Sequence, residues 1–79
     1  MGSYKLAIGF YAGDSPTPPN GAINKKPFAV YNPYAGQTII GYVAGNEVQF
    51  INLPVGILDV LFDDVVSSSN PGQLIALWQ

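Results

Sequence analysis

The chain has 79 residues, 48% of them apolar, and only eight charged side chains: three Lys and five carboxylates, for a net charge of −2. His, Cys and Arg are all absent. That composition excludes disulfides, thiolate and imidazole metal ligands and histidine-based proton chemistry, and it disfavours nucleic acid, whose phosphates are met mainly by Lys and Arg.

The first predicted element is a strand over Tyr4–Tyr11. Tyr4, Leu6, Ile8 and Phe10 alternate on one face, with Lys5, Ala7 and Gly9 on the other. Gly13 ends it. Residues 14–27 hold four prolines and Asn20-Gly21. Regular structure is excluded there, and the segment is expected to form a Pro-rich extended loop, either a floppy surface loop or an arm that lies across a neighbouring subunit. Phe28–Tyr31 reads as a short apolar strand, and Asn32-Pro33-Tyr34-Ala35-Gly36 as a turn. Gln37–Ala44 is rich in β-branched and aromatic residues and reads as a strand, with Gly41 marking a bulge or a close backbone approach. Gly45-Asn46 is a two-residue hairpin signal, and Glu47–Asn52 alternates as the return strand.

The stretch Val55–Val66 fits two templates. Leu58, Leu61, Phe62, Val65 and Val66 have helical spacing, whereas five of its twelve residues are Val or Ile, which favour strands. The balance leans to a strand over Val55–Phe62 with a break near Asp63-Asp64. Ser67 to Gly72 is a turn cluster, and Leu74–Trp78 closes the chain as a strand. Six short strands in one domain spanning 1–79 predict an all-β fold, a small β-barrel or sandwich.

A domain of this size buries only ~60% of the surface its unfolded chain exposes and usually needs a further source of stability. With disulfides and common metal sites excluded, contact with other chains is the remaining device. The low charge agrees: a soluble surface carries roughly 25–35% charged residues, against 10% for this whole chain. No transmembrane helix and no signal peptide is expected, because Pro27, Pro33, Gly36, Gly41 and Gly45 interrupt the longest uncharged stretch and the start lacks a basic flank followed by an apolar run.

No catalytic residue, metal or cofactor is expected. Asp59 and Asp63 are spaced to share a face, but so short a chain has little room for a cleft between two carboxylates. Ser67–Ser69 has no histidine to act as base, and neither GxxxxGK nor GxGxxG occurs. The better candidates are aromatic: Tyr31 and Tyr34 flank a proline turn, and Trp78 lies next to the last residue. With the basic pair Lys25 and Lys26, these are the expected partner-contact residues.

Pro54-Val55-Gly56-Ile57-Leu58-Asp59-Val60, a Ser-rich turn and Leu74-Ile75-Ala76-Leu77-Trp78 resemble the head decoration proteins of tailed bacteriophages, and Gln37–Val43 is similar to an earlier strand of that β-domain. The resemblance covers the C-terminal half. That family carries its flexible Thr/Pro-rich arm before the β-domain, whereas here a strand precedes the Pro-rich segment. The resemblance implies a homotrimeric capsid cement protein, a virion structural component on the outer capsid surface, bound across joints of the major capsid protein. Two alternatives stand beside it: a carbohydrate-binding or host-surface-binding β-module that stacks sugars on tyrosines, and another phage assembly subunit of tail, connector or filament.

Overall fold

The computed structural model describes residues 4–18, 20 and 27–79. Their strands are β1 (Leu6–Phe10), β2 (Phe28–Asn32), β3 (Gln37–Val43), β4 (Asn46–Leu53), β5 (Gly56–Phe62), β6 (Asp64–Ser68) and β7 (Leu74–Trp78). All pairings are antiparallel, in a four-stranded sheet of order β1-β7-β2-β5 and a three-stranded sheet of order β4-β3-β6. The fold is all-β and sandwich-like, as expected, and the barrel alternative is set aside because the sheets do not close. Among the described residues no helix is long and apolar enough to cross a membrane.

Seven strands replace the six expected, because Val55–Val66 supplies two. Asp63 breaks the run: its N–H donates to the carbonyl of Tyr42 at 2.7 Å and its carboxylate accepts from the Gly45 N–H at 3.0 Å. The chain thereby leaves the first sheet as β5 and enters the second as β6. Val65 is buried while Val66 is exposed, and Ser67 and Ser68 belong to β6 rather than to the turn. The helical spacing of this stretch is thus an accident of two strands meeting at a corner.

Gly41 sits where the corner crosses β3. The β3–β6 register shifts between Ile40 and Gly41, and a Cβ at Gly41 would stand 2.5 Å from the Asp64 carbonyl oxygen and 2.9 Å from Phe62 Cδ1. Of the two readings made from the sequence, the close approach is present at Gly41, and the extra residue of the register shift, Val66, lies on β6. The hairpin turn moves by one residue. Val43 pairs with Asn46, so the two-residue loop is Ala44-Gly45, with φ of 51° and 81°, the sign pattern of a type I′ turn.

The inner faces of both sheets make one core. From β1, β7, β2 and β5 come Phe10, Leu74, Ala76, Trp78, Phe28, Val30 and Phe62, and from the second sheet Ile39, Leu53 and Val65. Phe28 is its aromatic hub, with ring centroids 5.7 Å from Phe10, 5.9 Å from Trp78 and 6.5 Å from Phe62. The edge-on contact with Phe10 is a favoured aromatic geometry.

The Pro-rich segment begins on its own chain. The Gly13 N–H donates to the Val65 carbonyl at 3.0 Å, the Ser15 hydroxyl donates to Asp64 at 3.5 Å, and Pro16 is buried. Asp14–Pro18 therefore packs beside β6 rather than reaching outward. Pro19 and residues 21–26, which include Lys25 and Lys26, lie outside the described residues.

Candidate functional site: an apolar sheet face and its clamped end

In the four-stranded sheet, Leu6↔Trp78, Ile8↔Ala76, Phe10↔Leu74 and Val30↔Ala76 pair on the core side. Period-two alternation then sends the intervening residues outward. Outward on β1 are Ala7 and Gly9, on β7 Ile75 and Leu77, on β2 Ala29 and Tyr31, and on β5 Ile57, Asp59 and Leu61. One level of the face reads Gly9, Ile75, Tyr31, Ile57 from edge to edge; the next reads Ala7, Leu77, Ala29 and then Leu61 beside Asp59. Asp59 is the only ionised group within these four strands, and Lys5 flanks β1 at the far edge. Ile57 and Leu61 are 52% and 49% exposed. Among the described residues this side of β5 is left half open to solvent.

The other sheet turns a different surface outward. Tyr42 pairs with Glu47 on one side and Asp64 on the other, and Ile40 pairs with Gln49 and Ser67. That face is mixed and mostly polar. One outer face is thus apolar but for Asp59, while the other mixes Ile40, Tyr42, Ile51 and Val66 with polar and acidic side chains.

A cleft of about 250 Å³ opens at one end of the apolar face, lined by Tyr4, Pro27, Asp59, Leu61, Leu77, Trp78 and Gln79. Among the described residues it lies at the start of β2, between β7 and β5. The Tyr4 hydroxyl donates to Asp59 Oδ1 at 3.5 Å across this gap. Desolvation by burial raises the Tyr4 pKa above the ordinary tyrosine value, and the charge of Asp59 and its hydrogen bond add to the rise.

The opposite end of the sandwich is held by buried amides. Asn32 Nδ2 donates to the Pro54 carbonyl at 2.9 Å, and Asn32 Oδ1 accepts from the Tyr34 N–H at 3.1 Å and from Gln37 Nε2. Gln37 Oε1 accepts from the Asn70 N–H at 3.4 Å, and Asn70 Oδ1 accepts from the Gly72 N–H at 2.8 Å. Two side chains thus tie together the β2–β3, β4–β5 and β6–β7 connections. At this end Tyr34 is half-buried with its ring against Gly72, Val55 is exposed, and Ile51 on β4 is 68% exposed.

The expected contact residues separate. Tyr31 lies half-buried in the middle of the apolar face, and Tyr34 on the clamped end. Trp78 is corrected from surface to core: it is 1% exposed and packs on Phe28, because its position alternates with outward Leu77. The carboxylates do not converge. Asp59 meets Tyr4, Asp63 caps the Gly45 N–H, and Asp64 accepts from Ser15 and from the N–H of Val65. Among the described residues no group of three or more acidic, His or Cys side chains is placed to hold a metal.

Ile57, Ile75 and Leu77 were missed at the level of sequence, although a signal existed. Phe28–Tyr31 and Leu74–Trp78 are unbroken apolar runs. A strand that loses its alternation is covered on both faces. No known protein family, no curated protein and no solved structure matches this chain.

Proposed function

We propose that this protein is a structural assembly subunit, and specifically a decoration or cement protein on the exterior of a virus capsid, working by burying surface against other chains. The observation that carries the assembly reading is the apolar outer face of the β1-β7-β2-β5 sheet, four strands wide with one carboxylate in it. Leaving a sheet face of this composition in water costs roughly 25 cal/mol per Å² of apolar surface, and docking removes that cost. The capsid setting comes from the resemblance of Pro54–Val60 and Leu74–Trp78 to phage head decoration proteins. In this reading Tyr31 anchors contacts through the sheet face, and Tyr34 with Val55 through the clamped end. The protein acts mechanically, many weak contacts adding over repeated copies, and no catalytic step or cofactor belongs to the proposal.

The test is occupancy on particles. Purified protein is mixed with undecorated capsids, and the bound fraction is measured by sedimentation for the native protein and for Tyr31→Ala, Tyr34→Ala and the double variant. Loss of occupancy by the folded double variant supports the reading. Absence of binding by the native protein to any capsid, tail or filament preparation overturns it.

A second reading, a carbohydrate-binding module, has one observation in its favour: Tyr42 is an exposed ring on the polar outer face, flanked across the strands by Glu47 and Asp64. Rings beside hydrogen-bonding carboxylates suit sugar stacking. Saturable binding on a glycan array, abolished by Tyr42→Ala, would favour it over assembly.

A further inference from the structure

The apolar face is built to fit a copy of itself. We propose that two copies of this chain pair through the outer faces of their β1-β7-β2-β5 sheets, about a two-fold axis that runs parallel to the strands between β7 and β2. This deepens the assembly reading and rests on it, with a two-fold pair in place of the trimer that the resemblance implies.

Side-chain size favours this pairing. Such an axis sets β1 of one copy over β5 of the other, and β7 over β2. Gly9 then faces Ile57, Ala7 faces Leu61, Leu77 faces Ala29 and Ile75 faces Tyr31, by the registers that align these residues within one sheet. In three of the four oppositions a small residue meets a large one, the pattern that lets two sheet faces interdigitate at ~10 Å separation. Two β5 strands laid over each other would instead stack Ile57 and Leu61 on their own kind. Ala29 is already covered within its own chain, and the cleft of about 250 Å³ opens on the same face between Leu77 and Leu61. The partner's Leu77 enters there.

Charge agrees with the same axis. Lys5 flanks β1 at one edge of the face, and Asp59 stands on β5 at the other. Turning β1 over β5 brings each Lys5 toward the partner's Asp59, and both sites are satisfied at once because the contact is isologous. The side chain of Gln73 lies over Gly9, its Oε1 3.1 Å from where a Cβ would stand. It is long and exposed, and it swings aside to admit Ile57.

The pair is a weak one. Four strands and about five residues of each give a flat footprint of roughly 300 Å², under half the ~800 Å² per partner of a standard interface. The expected dissociation constant is on the order of 100 µM, and on a particle the repeated geometry raises the effective concentration.

The experiment is sedimentation equilibrium of the full chain from about 10 µM to about 1 mM, on the native protein and four variants. The native protein shifts from one chain to two. Leu77→Asp weakens pairing at least about tenfold, with far-ultraviolet circular dichroism confirming that the variant is folded. Lys5→Asp and Asp59→Lys each weaken it about fivefold, and the double reversal restores it, because every copy then carries both changed partners. A native mass of one chain throughout, a limiting mass of three, or pairing indifferent to Leu77→Asp overturns the proposal. So does a double reversal no better than the singles. Capsid occupancy measured on the same samples keeps the two readings apart: a protein that stays single yet binds particles sinks the self-pairing alone.

Discussion

The Nε2–H of Gln37 donates to Oδ1 of Asn32 across 2.5 Å, between side chains that are 2% and 0% exposed. No buried side-chain nitrogen or oxygen among the described residues lacks a partner, and this pair shows how. One amide satisfies two loops, the other a third, and each holds its neighbour's orientation. Asn32→Ala strips partners from the Pro54 carbonyl, the Tyr34 N–H and Gln37 at once. The expected cost is about 2–4 kcal/mol, or roughly 10–25 °C in melting temperature for so small a domain. Urea denaturation followed by Trp78 fluorescence measures it. Asn32→Asp is expected to be at least as damaging, since it loses the donor to Pro54 and buries a charge.

Gly41→Ala tests the crossing of β3 by the β5–β6 corner. The added methyl would stand 2.5 Å from the Asp64 carbonyl oxygen and 2.9 Å from the Phe62 ring. One obstacle is backbone and the other a fully buried core ring, so neither moves freely. The expected destabilisation is about 2–3 kcal/mol, read as a lowered urea midpoint. A variant as stable as the native protein would mean that the corner is looser than described.

Ala44 offers a gain instead. It holds a φ of 51° in the hairpin loop, a region that costs an L-residue with a Cβ roughly 1–2 kcal/mol. Asn tolerates that region and is preferred at this turn position. Ala44→Asn is expected to stabilise the protein by about 0.5–1 kcal/mol, measurable by thermal melting.

Tyr4 links stability to alkaline pH. Burial and then Asp59 raise its pKa in the folded state, so the protonated hydroxyl is favoured by folding. That contribution is present below the ordinary tyrosine pKa of ~10 and is lost as pH rises through the higher folded value. Absorbance titration is expected to show one tyrosine ionising late, absent in Tyr4→Phe. In Asp59→Asn it moves back only part of the way, because desolvation remains.

Much of the architecture was legible in sequence because it depends on neighbours along the chain. Alternation in Leu6–Phe10, the β-branched run of Gln37–Val43 and the turn residues at 32–36 all act within a few positions, and the strands appear there. Asp63-Asp64 was legible as a break. That the break sends β6 into the other sheet was not, since the hydrogen bond that decides it comes from Tyr42, on a different hairpin.

The contact residues divide in the same way. Composition alone fixed that only eight side chains are charged, and it singled out tyrosines as contact candidates. Whether a ring faces partner or core depends on the pairing of distant strands. Leu77↔Ala29 and Leu6↔Trp78 are contacts between residues about fifty to seventy positions apart, and a shift of one residue in either register would have exchanged Trp78 with Leu77. The chain by itself determined that charges are few and apolar residues many; only the assembled sheets decided which side of them would carry the apolar surface, because alternation defines two faces and long-range pairing chooses between them.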